Sequence, residues 1–120
     1  SENNINVDMI VQNISQDGIY ANITFTVFLK DLELSKNLLE NNSDSLKFKS
    51  ITTDNNVAKV SVIGMGMMSQ SGVAEKMFKT LAQNSINILA ISTSEIKISV
   101  LIHEKYTNLA VKSLHEVYNL

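Results

Sequence analysis

The sequence predicts an α+β fold made of two incomplete copies of the ferredoxin-like βαββαβ sandwich. Three observations predict it: apolar and polar residues alternate over short segments, apolar stripes at helical spacing lie between those segments, and the chain contains a weak internal repeat. We expect the two units to cover residues 1–56 and 57–120, with the boundary at Asn55-Asn56.

The internal repeat relates NNINVDMI, residues 3–10, to NSINILAI, residues 84–91. A polar turn, an alternating strand and an amphipathic helix follow each segment. The second copy is preceded by a further strand and helix over residues 57–83. The predicted order is therefore β-β-α-β and then β-α-β-β-α, so that the first unit lacks its opening strand and most of its first helix, and the second lacks its closing strand.

Five segments have the composition of β-strands. Residues 5–11 and 86–91 are apolar runs, and Val57–Ile63 is a β-branched run that ends at Gly64. Two further strands alternate with period 2, which predicts that one face of each lies in a core. The apolar residues of these two strands are Ile23, Phe25, Val27 and Leu29 in the first, and Ile96, Ile98, Val100 and Ile102, with Lys97 and Ser99 between them, in the second.

Three segments have helical spacing. Val73, Met77 and Leu81 lie four residues apart, with Ser71 as the expected N-cap and Glu75 in the expected first turn. A second helix is expected to start near Asp31. The apolar positions of the other two helices are Leu34, Leu38 and Leu39 in one, and Ala110, Leu114, Val117 and Tyr118 in the other.

Composition excludes several classes of partner. The net charge is −2, and charges of both signs are dispersed, which argues against nucleic acid and against anionic membranes. The seven aromatic residues, four Phe and three Tyr, include no KGFGFV-like run of an RNA-binding sheet. No apolar run approaches the roughly 20 residues of a membrane helix, and there is no cysteine. We therefore expect a soluble, cytoplasmic protein that binds neither nucleic acid nor membrane.

The sequence offers no catalytic constellation and no metal-ligating motif. His103 and His115 are twelve residues apart and lack HExxH spacing, so we expect them to face solvent, and the twelve acidic residues are scattered. Gly64-Met65-Gly66 lacks the further glycine or the Gly-Lys-Ser/Thr of a phosphate loop. The turn it makes between a strand and a helix would still present backbone N–H groups to an anion such as the carboxylate of an amino acid. An unoccupied structural turn is the alternative reading. The nearby methionines, Met65, Met67, Met68 and Met77, favour packing or a deformable interface.

Four segments carry a resemblance to a known family: INVDMIVQNIS (5–15), ITFTV (23–27), VAKVSVIGMGMMSQSGVAEKMF (57–78) and ISTSEIKISVLI (91–102). Together they resemble the C-terminal tandem ACT regulatory region of bacterial aspartate kinases. The resemblance implies feedback inhibition by lysine, threonine or both, a kinase domain in the same enzyme that uses ATP and Mg, and homo-oligomers formed through ACT–ACT contacts. It implies no cofactor for this chain itself.

The resemblance also implies site residues. It places the effector against Asn6, Val7 and Asp8, with side-chain contacts at Gln12 and Asn13. The counterparts in the second unit are Asn87 and Ile88, followed by Ser92, and Leu89 stands where the first unit has Asp8. The junction between strand and helix in the second unit contributes Met67, Ser69, Gly72 and Val73. Ser15 and Thr24 match positions where feedback control is sensitive to substitution. An assembly module that dimerises and has no working effector pocket is the alternative function.

Overall fold

The computed structural model of the chain describes residues 5–14, 16, 18, 21–46, 50–64 and 69–119. It divides into two compact units, Ser1–Asn55 and Asn56–Leu120. The first contains strands β1 (Ile10–Ile14) and β2 (Ala21–Phe25), a 3₁₀ turn (Leu29–Asp31) and helices α1 (Leu32–Asn41) and α2 (Ser43–Leu46). The second contains β3 (Val57–Ile63), α3 (Gln70–Gln83), β4 (Ala90–Thr93), β5 (Lys97–His103), a 3₁₀ turn (Glu104–Tyr106) and α4 (Thr107–Val117).

The second unit is a three-stranded antiparallel sheet with β5 in the centre and β3 and β4 on either side. Val60 pairs with Val100 and Val62 with Ile98, so these residues share one face of the sheet. The helices α3 and α4 cover that face. The order of elements, β-α-β-β-α, and the strand order, 1-3-2 within the unit, are those of a ferredoxin-like fold without its closing strand. The predicted α+β class is confirmed.

The core of the second unit lies between this face and the two helices. The sheet contributes alternate residues of β3 and β5, and each helix contributes residues four positions apart, as the apolar spacing predicts. The buried residues of the core are Val60, Val62, Val73, Met77, Leu81, Ile86, Ile98, Val100, Ile102, Ala110, Leu114 and Tyr118.

The face of β5 away from the helices is also buried, which the alternation of β5 does not predict. Ser99, between the core residues Ile98 and Val100, is only 2% exposed, and Leu101 is buried as well. The Ser99 hydroxyl lies 2.7 Å from the Ser61 hydroxyl of the neighbouring strand. This hydrogen bond offsets the cost of removing both hydroxyls from water. Ile96, which was expected on the core face, is exposed because β5 begins only at Lys97.

Few of the described side chains in the first unit are buried. Its two strands pair from Ile10 with Phe25 to Ile14 with Ala21. Phe25 and Val27 are half-buried, whereas Ile23 and Leu29 are exposed, so the expectation that all four line a core is wrong. The strand ends at Phe25, and Leu29 already belongs to the 3₁₀ turn. The described part of this unit, a two-stranded sheet with one ten-residue and one four-residue helix, has too little surface to bury every apolar side chain.

Several predicted boundaries are also corrected. β1 begins at Ile10, five residues later than expected. β4 begins at Ala90, four residues later than expected. The N-cap of α3 is Ser69 instead of Ser71, which places Glu75 in the second turn. Residues 50–56 form no strand, so the expected closing strand of the first unit is not found among the described residues. These residues are mostly polar and exposed, which gives a strand there nothing to bury.

Candidate functional site

The segment that leads into β1 contains the predicted effector residues Asn6, Val7 and Asp8, and all three are exposed. Asp8 and Met9 together oppose Thr26. The Asp8 N–H donates to the Thr26 carbonyl at 2.9 Å, and the Met9 carbonyl accepts the Thr26 N–H at 2.9 Å. The Met9 N–H donates to the Thr26 hydroxyl at 2.9 Å. Two residues facing one is the arrangement of a β-bulge, a feature that redirects side chains and is common beside functional sites.

The second unit has the same irregularity. The Leu89 N–H donates to the Leu101 carbonyl at 2.7 Å, and Leu101 is also the ladder partner of Ala90. Leu89 is therefore the structural counterpart of Asp8. Asn87 is exposed, and Ile88 packs against the core. The repeat in sequence thus corresponds to a repeat in backbone hydrogen bonding, but only the first copy presents a carboxylate.

The remaining predicted residues of the first unit lie on its two strands. Gln12 is exposed on β1 and pairs with Ile23, whereas Thr24 is exposed on β2 and pairs with Val11. Side chains alternate along a strand, so Gln12 and Thr24 lie on opposite faces of the sheet. Asn13 pairs with Asn22 in the ladder. Ser15 lies outside the described residues.

The junction between β3 and α3 is the second predicted site. Gly64 has φ +58°, a left-handed conformation that glycine adopts without strain, and its N–H donates to the Ile96 carbonyl at 2.8 Å. The Ser69 side chain accepts the Gly72 N–H at 3.2 Å, and its carbonyl accepts the Val73 N–H at 3.0 Å. No acidic residue lies in the first turn of α3. The turn therefore combines a capped helix N-terminus with a positive dipole end. Met67 lies outside the described residues, as do Met65 and Met68.

The buried side chain of Tyr118 forms a hydrogen bond with the first turn of α3. The Tyr118 hydroxyl donates to the Val73 carbonyl at 2.5 Å, and both side chains belong to the core. Burial raises the pKa of Tyr118 above its ordinary value of 10.0, and a hydrogen bond with the Met77 backbone acts in the opposite direction. The apolar spacing of α4 predicted that Tyr118 is buried. Its hydroxyl contact was missed, and the only signal for it was a polar atom at the end of an apolar stripe.

The structure brings some predicted residues together and separates others. Ser69, Gly72 and Val73 share one helical turn. Asn87 and Ile88 lie at the opposite end of the sheet, because β3 and β4 run in the same direction and α3 returns along them. Ser92 lies in β4 opposite Ser99. Within the second unit these residues do not form a single pocket.

The two histidines give no indication of catalytic or metal-binding chemistry. His103 and His115 are both exposed, and His103 Nδ1 accepts the Lys105 N–H at 3.2 Å as the cap of a 3₁₀ turn. Within the described part of the chain, no three His, Cys, Asp or Glu side chains are grouped as metal ligands would be. None of the helices in those residues has both the length and the apolar character needed to cross a membrane.

Comparison with known proteins identifies close relatives. A family model described as "ACT domain" matches residues 60–118. An aspartate kinase of Pseudomonas fluorescens is 48% identical over 98% of this chain, which spans 28% of that protein's length. A crystal structure of aspartokinase alpha and beta subunits is 48% identical and superposes with a TM-score of 0.88, covering 99% of this chain and 77% of that one. The ligand-free regulatory subunit of aspartate kinase from Thermus thermophilus is 33% identical, with a TM-score of 0.84 over 97% of this chain and 76% of its own.

Proposed function

The chain belongs to the ACT-containing regulatory region of the aspartate kinase family, and we propose that it senses lysine, threonine or both for feedback inhibition. The partner that receives the signal is a kinase domain of the same enzyme, which uses ATP and Mg and works in the cytoplasm. Because this chain spans 28% of the related Pseudomonas enzyme, that domain lies outside it. An effector of this kind acts through its different affinity for two states of the enzyme.

The observation that carries this proposal is the exposed Asp8 on the bulged strand of the first unit. A free amino acid needs an acceptor for its ammonium group, donors for its carboxylate and room for its side chain. Asp8 supplies a carboxylate acceptor, and the exposed Asn6 beside it supplies both a donor and an acceptor. A charge-assisted hydrogen bond to an ammonium group is among the stronger polar contacts that a protein makes.

The junction between β3 and α3 supports the same chemistry. The first turn of a helix has N–H groups without partners inside the helix, and its dipole favours an anion. In this chain Ser69 satisfies the N–H of Gly72. The first turn of α3 has no acidic side chain of its own to occupy the positive end. We propose that this turn favours the carboxylate of an effector.

Calorimetric titration of the chain with lysine, with threonine and with their mixture tests the proposal. We expect saturable heat with at least one of them. Nα-acetyl-lysine and Nα-acetyl-threonine are the control ligands, since acetylation removes the ammonium group that Asp8 is proposed to bind. No saturation with lysine, threonine or the mixture would contradict effector sensing by this chain.

A second candidate function is assembly without effector binding, and one observation favours it. Ile10 and Ile23 lie on the same face of the β1–β2 pair and are 67% and 64% exposed. Within the described residues β1 pairs only with β2, and the edge of such a strand pair is a surface to which a strand of another chain can add. We expect a homodimer or larger homo-oligomer formed through contacts between ACT units. Light scattering at micromolar concentration checks this, and the mass of one 120-residue chain would contradict it.

A further inference from the structure

The end of α4 contacts the start of α3 through a buried hydrogen bond. Tyr118 follows the last residue of α4, and Val73 lies in the fourth position of α3, 45 residues earlier. The Tyr118 hydroxyl donates to the Val73 carbonyl at 2.5 Å in a buried environment, where the side chain of Tyr118 is 7% exposed. This bond joins two elements that the chain connects only through β4 and β5.

The Tyr118 hydroxyl binds a carbonyl that also takes part in the backbone hydrogen bonds of α3. In an α-helix the carbonyl of Val73 also accepts the N–H of the residue four positions later, Met77. A carbonyl oxygen has two lone pairs and can accept both donors. Lys76 adds a further contact, with its Nζ 5.7 Å from the centre of the Tyr118 ring.

The other bonds that hold the first turn of α3 are more accessible to water. Ser69, which accepts the Gly72 N–H, is exposed, as is Ser71 beside it. Exposed helix ends open readily because water competes for their hydrogen bonds. The Tyr118 bond is buried and is therefore the side-chain contact best able to keep this turn closed.

We infer that Tyr118 is a positioning residue for the start of α3: its hydroxyl fixes the turn that contains Ser69 and Gly72 relative to the end of α4. Phenylalanine would fill the same space in the core, so packing alone gives no reason for the hydroxyl. Its consequence for sensing rests on the proposed function, because this turn is the part of the second unit assigned to the effector carboxylate. The contact itself does not depend on that assignment.

Residue-resolved amide exchange of the whole chain tests the inference, with Tyr118→Phe as the variant and Tyr106→Phe as the matched control. Tyr106 packs against the same core, and its hydroxyl makes no hydrogen bond with the described part of the chain. In Tyr118→Phe we expect exchange at Val73 and Met77 to accelerate by roughly three- to tenfold, the factor that one neutral hydrogen bond supplies. Exchange at Leu81 and Val100 should change by less than about twofold, and Tyr106→Phe should leave all four amides unchanged.

Two amide-exchange results would overturn the inference: no acceleration at Val73 and Met77, or an equal acceleration at Leu81 and Val100, which would mean a general loss of stability. Titration with lysine and threonine adds a readout of function. If the wild type binds either one, Tyr118→Phe should weaken that binding by a similar three- to tenfold, and unchanged affinity would overturn the positioning role. If the wild type binds neither, the proposed function fails, and amide exchange alone decides the inference about Tyr118.

Discussion

Asp8 and Leu89 make the same backbone hydrogen bond in their respective units. The N–H of Asp8 donates to Thr26 at 2.9 Å, and the N–H of Leu89 donates to Leu101 at 2.7 Å. In both units the next residue opposes the same partner, which gives each strand a bulge at its start. The two units therefore share a backbone frame at this point and differ in the chemistry of one side chain. Leu89 therefore shows what this backbone position provides without a carboxylate.

The cap of α3 gives a first prediction. Replacing Ser69 by Ala should destabilise the second unit by about 1 kcal/mol, because the Gly72 N–H loses the side-chain oxygen that accepts it. Ser71→Ala is the control: Ser71 lies inside the helix, and its hydroxyl is 3.3 Å from that of Ser69. Its loss should cost less than about 0.5 kcal/mol. Urea melts of both variants measure the difference, and a larger loss in Ser71→Ala would restore Ser71 as the cap.

The faces of β5 give a second prediction. Ile98 is 2% exposed in the core, so Ile98→Ala should reduce the free energy of unfolding by about 2–5 kcal/mol through cavity formation. Lys97 is only partly buried, and Lys97→Ala should cost less than about 0.5 kcal/mol. Equal losses at Ile98 and Lys97 in denaturant melts would contradict the assigned faces.

Phe25 is half-buried in the first unit, so Phe25→Ala should reduce the free energy of unfolding by less than the roughly 3–5 kcal/mol of a fully buried phenylalanine.

Periodicity predicted the parts of the fold in which one amphipathic face determines the structure. The stripe of Val73, Met77 and Leu81 and the alternation of Ile98, Val100 and Ile102 both end in the core. Periodicity did not predict the burial of residues whose environment depends on neighbouring strands. Ser99 is buried, and the Ser61 hydroxyl on the neighbouring strand compensates for that burial, a pairing that no local pattern encodes. Ile23 is exposed because its two-stranded sheet has too little surface to cover it.

The candidate site was predictable to a similar extent. The repeat between residues 3–10 and 84–91 aligned Asp8 with Leu89, and the backbone bonds agree with that alignment. The bulges were not predictable, since they follow from how each strand meets its partner. The contact between Tyr118 and Val73 was not predictable either, because it joins residues 45 positions apart. The assignment of individual residues as effector ligands stays a prediction that binding measurements must test.

The buried hydroxyl of Tyr118 gives a prediction for alkaline pH. Burial raises its pKa in the folded chain above the ordinary value of 10.0. The contribution of the protonated hydroxyl to stability is therefore complete below pH 10.0 and is lost as pH rises through the folded-state pKa. The difference in unfolding free energy between the wild type and Tyr118→Phe should shrink or reverse over that range. Urea melts from pH 8 to roughly pH 11 measure it, and a difference that is constant with pH would contradict a buried, protonated hydroxyl.

The last prediction concerns the effector itself. Asp8→Ala should weaken binding of lysine or threonine by roughly tenfold to a hundredfold, because a hydrogen bond to a charged group contributes about 1.5–3 kcal/mol. In an aspartate kinase that contains this region, the same change should relieve feedback inhibition and leave the uninhibited rate largely unchanged. No catalytic group was predicted in this segment, and an effector acts only by favouring one state of the enzyme over another. Kinase rates measured against lysine, threonine and their mixture give the inhibition curves.

Two control variants make this test specific to the position of Asp8. Asp44→Ala removes an exposed carboxylate on α2 and should leave the inhibition curves unchanged. Leu89→Asp places a carboxylate at the equivalent bulge of the second unit, and its effect on affinity shows whether the backbone frame alone makes an ammonium site. If Asp8 serves only the structure of the first unit, Asp8→Ala should lower the melting temperature and leave inhibition intact. Inhibition curves that overlay those of the wild type for every effector would remove Asp8 from the site, because a lost ammonium contact of this strength must shift at least one of them.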